Sequence, residues 1–444
     1  MPDAQPLDPA DFRMTPEELR RVFEERVVPY LFGGRTPSGG ATVVFITGQP
    51  GAGKTRAQEY VLREHPDAVV IDRDDLRKFQ QREDAWEHVD RDASAFPYVT
   101  EEVAGALRDM AIDYAVEHGY TAVLENSFRT DYPLEVAAKT TPAAAPDGSP
   151  VGDRPRTPVA VEVVVVVTPL WQSRLDTLTR YLLPGAETPR WTQDASHEDC
   201  QPHIPPKLDA LEKRGNTRGV TLIDRAGALL YRNRRLGTVW ERVAGAGAAL
   251  TAAWGRPPTP EHARRWLDQY WSTLALATAQ GALTPTTLPR VELLHGDADR
   301  LARIAYGHDE AALRRHQAWQ GVQRYVNRAS RQGVRSALLP ASPALFLMDG
   351  KRLDALLSER GAGSDTADVA RPHLEKERRR RQQIPAPQAE RENRLRGRLA
   401  RGPLAPARRG PGRGAGGPAL GGLRAAVPAA RATIRAARGR GRGA

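Results

Sequence analysis

A chain of 444 residues with 40% hydrophobic and 27% charged residues and a mean hydropathy of -0.53 has the length of two or three domains and the composition of a water-soluble globular protein. It excludes a membrane span, because the apolar run around Val163–Val167 falls far short of the ~20 residues a bilayer helix needs; the single cysteine, Cys200, excludes internal disulfides and cysteine metal clusters. The net charge of +11 is uneven: Arg371–Ala444 holds 20 basic against 4 acidic residues, and the other 370 hold 45 against 50. In chain order, residues 1–12 carry Asp3, Asp8 and Asp11 where a secretory leader would be basic, so they predict a disordered N-terminus and a cytoplasmic protein. Thr15-Pro16-Glu17-Glu18 then reads as a capping box opening a helix.

Thr42–Thr47 is β-branched and apolar, a buried strand, and a glycine-rich turn follows at once. Ala68–Ile71, Thr121–Leu124 and Ala160–Thr168 predict further strands, with Glu101–His118 an amphipathic helix between the second and third. The valines of 160–168, interrupted only by Glu162, predict a strand covered on both faces. Thr141–Pro158 reads as a long surface loop, and Val220–Ile223 with Ala228–Tyr231 closes the sheet. The alternation predicts an α/β, three-layer sandwich of P-loop NTPase type with a mostly parallel sheet over residues 13–235. A helical region over 240–370 follows, with an aromatic stripe in Pro260–Gln280 read as core and a further helix at Asp309–Ser330. The Arg/Gly/Ala/Pro-rich segment 371–444 reads as a disordered basic tail.

Gly48-Gln49-Pro50-Gly51-Ala52-Gly53-Lys54-Thr55 matches G-x-x-x-x-G-K-T in the required strand-to-helix context. Its glycines let backbone N–H groups wrap an anion, Lys54 supplies a cation to the outer phosphates, and Thr55 offers a hydroxyl to Mg²⁺, which predicts ATP and Mg²⁺ as cofactors. At the end of the second strand, Asp72, Asp74 and Asp75 stand where a carboxylate accepts a hydroxyl proton, or caps the next helix. The third strand ends in Glu125-Asn126-Ser127-Phe128-Arg129, and Arg180 and Arg190 follow the fourth, where arginines can neutralise a transferring phosphoryl group.

These motifs, together with Arg180-Tyr181, Arg190-Trp191-Thr192 with His197, and the turn Leu222-Ile223-Asp224-Arg225-Ala226-Gly227, resemble the zeta toxins, including the PezT type, over about Thr15–Asn233. The resemblance implies an ATP-dependent kinase acting on the 3′-hydroxyl of UDP-N-acetylglucosamine. It implies Asp74 as general base, Lys54, Arg180 and Arg190 as the other catalytic groups, and Asp74, Asp109, Glu125, Ser127 and Arg129 as substrate contacts, with an antitoxin protein as partner. Asp109 stands for a more usual glutamate, Ser127 for a threonine and Asn126 for a glycine. Two other readings are weighed beside it: a kinase for another small molecule or a polynucleotide end, and a nucleic-acid-associated ATP-binding protein working through basic clusters such as Arg378-Arg379-Arg380-Arg381. The tail's lack of interleaved aromatics disfavours the last.

Overall fold

Thr15 opens the first helix, α1 (Pro16–Val22), through the expected capping box: its Oγ1 accepts from Glu18 N at 3.3 Å, and Glu18 Oε2 accepts from Thr15 N at 2.8 Å. The computed structural model describes residues 7–91, 95–142, 156–183, 191–192, 195–358 and 365–401. Part of the expected disordered N-terminus is ordered: Asp8 caps a 3-10 turn at Pro9–Phe12, and Phe12 is buried against Ala85, Ala95 and Val99.

Two compact units divide the chain, one comprising residues 1–173 and 192–256, the other 174–191 and 257–444. In the first, the strands are β1 (Thr42–Thr47), β2 (Val69–Ile71), β3 (Thr121–Asn126), β4 (Thr140–Pro142), β5 (Arg156–Pro158), β6 (Ala160–Val166), β7 (Thr217–Ile223), β8 (Leu229–Leu236) and β9 (Val239–Trp240). Among the described residues, seven of them form one sheet in the order β2-β3-β1-β6-β7-β8-β9. Neighbours from β2 to β7 pair parallel, and β8 and β9 are antiparallel additions. β4 and β5 pair as a separate ribbon within the segment read as a loop; 143–155 lie outside the described residues.

Alternation along β1 shows why both faces are covered. Val43 and Phe45 join one apolar cluster with Leu107, Ala111 and Ile112 of the helix Glu101–Glu117, whereas Val44 and Ile46 join another with Ala57 and Val61 of the helix Lys54–Glu64. A fully buried parallel strand therefore reads as continuous apolar sequence. The helix Ala246–Gly255 packs on Cys200–Glu212, where Glu212 Oε2 accepts from Gly245 N and Ala246 N, so this unit extends to Arg256 rather than ending at 235.

Glu162, the break in the valine run, accepts from His65 Nε2 at 3.2 Å. The bond holds His65 above its ordinary value of 6.5 and Glu162 below its ordinary 4.5, against the opposing pull of burial. A raised His stabilises the fold below its unfolded value, and that contribution is lost as pH rises through the folded one. A lowered Glu stabilises above its unfolded value, and loses that as pH falls through the folded one. The pair should therefore contribute most between 4.5 and 6.5, by about 1 kcal/mol. Proton NMR of the His65 ring should show its titration midpoint fall on Glu162→Gln, and an unchanged midpoint would contradict this.

In the second unit, the helices Pro260–Ala279, Leu288–Tyr306 and Glu310–Arg331 bury Trp266, Tyr270 and Leu274 as core, as the stripe predicted. Tyr270 Oη donates to Gln320 Oε1 at 3.0 Å, and Asn327 Nδ2 donates to Nε2 of His295, which burial lowers to about 4 and so keeps neutral. Nor is the whole basic segment disordered. Residues 365–401 form two helices, Asp365–Gln383 and Ala386–Arg401, while 402–444 lie outside the described residues. Arg380 is buried between Glu377 and Glu392 at 2.8 Å each, and Arg381 bonds Glu377 and the carbonyls of Leu345 and Met348. Half of the four-arginine cluster is thereby consumed internally and is not available to a phosphate backbone. Removing one partner of a buried ion pair costs about 3–5 kcal/mol. Arg380→Met should therefore lower the opening free energy of Ala386–Arg401, read by native-state hydrogen exchange, by about 3 kcal/mol, the lower end because Arg381 and Arg396 still reach the carboxylates. Unchanged protection would contradict it.

Candidate functional site

Every parallel strand ends at one edge of the sheet: β1 runs into Gly48, β2 into Asp72, β3 into Ser127, β6 into Val167 and β7 into Asp224. β1 has β3 on one side and β6 on the other, so this edge includes the switch point where open α/β sheets bind ligands.

The loop's glycines are required by geometry. Gly48, Gly51 and Gly53 have φ of 154°, 74° and 91°, and a Cβ on Gly48 would lie 2.9 Å from the carbonyl oxygen of Val166. Gly53 caps the helix Lys54–Glu64, whose first turn presents Lys54 and an exposed Thr55. Lys54 Nζ donates to the carbonyls of Gly48 and Gln49 at 3.3 Å, folded back onto its own loop. Thr168 Oγ1 donates to the carbonyl of Ala52 and Ser173 Oγ to that of Pro50, fixing the loop from beneath. Gln49 is buried with both side-chain polar atoms unsatisfied. Orphaned polar atoms in a loop that has no room for a Cβ at Gly48 fit an anionic ligand with hydrogen-bonding oxygens, as a triphosphate has.

Asp72 caps the short helix Arg73–Leu76, its Oδ1 accepting from Asp74 N at 2.9 Å. Asp74 is half-exposed and accepts from Arg77 Nε at 3.0 Å. Arg77 is buried and also donates to Thr100 Oγ1 and Glu101 Oε2, so Asp74 is held by a fixed guanidinium. Glu125 is the electrostatic centre of the edge. It accepts from Gln58 Nε2 at 2.9 Å; burial pushes its carboxyl above the usual range, Lys54 opposes this, and Asp72 and Asp74 reinforce it. Lys54, Asp72 and Asp74 thus all bear on the titration of this one carboxylate.

Beyond β3, Asn126 Oδ1 accepts from the amide of Phe128, a buried residue held at φ 54°, a conformation a bulky side chain adopts only when its surroundings impose it. Ser127 Oγ accepts from the exposed Arg129, whose charge, with that of Lys54, acts on buried Cys200. Burial outweighs both cations and pushes the thiol up to about 11, so Cys200 is packing rather than a nucleophile. Asp109 accepts from Tyr132 Oη at 2.7 Å and from Arg108, whose guanidinium lies 4.1 Å from the Tyr132 ring centre. Arg180 lies in the last turn of the helix Leu170–Leu182, within the second unit, and Arg190 lies outside the described residues. Sequence reasoning missed Arg77, Glu101 and Gln58. The only available signal was the spacing of Arg77, three residues after Asp74 on a helical turn.

The family model for zeta toxin matches residues 34–235, the span from just before β1 to β8. Through that span, the chain resembles the zeta toxin family. Similar relatives are the toxin zeta of Streptococcus agalactiae, 28% identical over 225 residues covering 48% of this chain and 71% of that one, and of Enterococcus hirae, 24% identical over 220 residues covering 47% and 71%. A solved chain of the PezAT chromosomal toxin–antitoxin system of Streptococcus pneumoniae is 19% identical with a TM-score of 0.46, covering 59% of this chain and 98% of that one. This likeness points to a P-loop kinase-type enzyme. No helix among the described residues is long and apolar enough to cross a membrane.

Proposed function

We propose that this protein transfers the γ-phosphoryl group of ATP to the 3′-hydroxyl of UDP-N-acetylglucosamine. The single observation that carries the reading is the strand-end glycine loop, with Gly48, Gly51 and Gly53 at positive φ leading into Lys54, on the same sheet edge as Asp74 held by Arg77. The loop N–H groups and Lys54 hold the triphosphate, and Asp74, oriented by Arg77, takes the hydroxyl proton as the acceptor oxygen bonds to phosphorus. The bond from phosphorus to the β,γ-bridging oxygen breaks and ADP leaves. When bound, Mg²⁺ neutralises charge on the phosphates, and Thr55 is the hydroxyl placed to hold it. Glu125, Ser127, Arg129 and Asp109 are the acceptor-side contacts in this proposal. For Arg180 and Arg190, neutralisation of the transferring group rests on their sequence positions alone.

A mass spectrum of the products from ATP, Mg²⁺ and UDP-N-acetylglucosamine tests reaction and acceptor together. The expected species is the sugar nucleotide carrying one added phosphoryl group. Modification instead of an aminoglycoside, a nucleoside or an oligonucleotide end in parallel reactions would move the protein to a different acceptor class. The PezAT relative comes from a toxin–antitoxin system, and we propose an antitoxin protein as partner here too.

A further inference from the structure

Ser173 is the last residue before the chain leaves the first unit at Arg174, and the chain returns at Thr192, shortly before His197. Ser173 and His197 are both fully buried. Ser173 Oγ lies 2.7 Å from the carbonyl oxygen of Pro50 in the phosphate loop and 2.7 Å from Nδ1 of His197. A carbonyl oxygen can only accept, and a hydroxyl carries one proton. That proton goes to Pro50, so the bond between Ser173 and His197 requires the imidazole to donate from Nδ1.

The carbonyl of Pro50 belongs to the peptide that carries the N–H of Gly51, and the carbonyl of Ala52 to the peptide that carries the N–H of Gly53. In a trans peptide these groups point in opposite directions. Gly51 and Gly53 have positive φ, and peptides flanked by glycine rotate at little steric cost. Ser173 on one carbonyl and Thr168 on the other therefore hold both peptides with their N–H groups directed away from the supports.

We propose that His197 is a positioning residue for the phosphate loop, its Nδ1–H orienting the Ser173 hydroxyl onto Pro50 so that the Gly51 amide is fixed before the triphosphate arrives. The inference rests on reading the loop as a triphosphate cradle. Pre-fixed donors spare the ligand the entropy of ordering them.

Calorimetric titration of the full chain with ATP and Mg²⁺, without acceptor, tests it. His197→Phe should weaken ATP binding about tenfold, roughly the value of one buried hydrogen bond. His197→Asn, whose side-chain N–H can occupy the Nδ1–H position, should restore affinity to within about threefold of wild type. Ser173→Ala should match His197→Phe, and the double variant should bind no more weakly than either single one, because both changes break one chain of contacts. Wild-type affinity in His197→Phe, or equal weakness in His197→Asn, would overturn the proposal. Should circular dichroism show His197→Phe unfolded, Ser173→Ala carries the test, and wild-type affinity there would overturn it. No acceptor enters this titration, so failure of UDP-N-acetylglucosamine as substrate is read separately; a wild-type chain that does not bind ATP would remove both readings.

Discussion

Lys54→Ala is expected to abolish the thermal stabilisation of the protein by ATP and to lower the transfer rate by about 10²–10³-fold, the range seen when one fixed electrostatic contact to developing charge is removed. The wild-type chain at 100 times its dissociation constant should gain about 2.7 kcal/mol from ligand binding, whereas the variant should melt at one temperature with or without nucleotide. The lysine's position makes the effect specific. Its ammonium bonds the carbonyls of Gly48 and Gln49 while also opposing the burial-driven rise of Glu125. Removing it leaves the cradle without its cation and leaves Glu125 with burial, Asp72 and Asp74 all favouring its protonated form. A variant that still gains stability from ATP to the wild-type extent would contradict the role.

The loop and the strand ends were legible in the sequence because their constraints are local. A glycine needed at positive φ cannot be replaced cheaply, and a strand buried on both faces must be apolar throughout. The supports around the site were not legible, since they join residues far apart in the chain. Arg77 reads as one more surface arginine until Thr100 and Glu101 fold against it, and Gln58 acquires meaning only when β3 brings Glu125 to it. Ser173 and His197 likewise meet only across the segment that leaves the first unit. Composition misled most in the basic segment. Arginine-rich sequence predicts disorder when the arginines are solvated, but Glu377 and Glu392 pair internally with Arg380, and two helices form where a tail was expected. In the helix Cys200–Glu212, Pro205 and Pro206 conceal helical character that burial of Ile204, Leu208 and Leu211 secures.

The most direct measurement for the account is a single-turnover transfer of labelled γ-phosphoryl from ATP to acceptor, run with wild type and Asp74→Asn at saturating ATP. Asparagine preserves the shape of the side chain and can still accept from Arg77 Nε through its carbonyl oxygen. It cannot take a proton from the acceptor hydroxyl. The account predicts label in the acceptor with wild type and transfer slower by about 10²–10⁴-fold with Asp74→Asn, the usual contribution of general-base catalysis, while calorimetry finds ATP bound within about twofold of wild type because the loop is untouched. Transfer at the wild-type rate by Asp74→Asn would contradict the account.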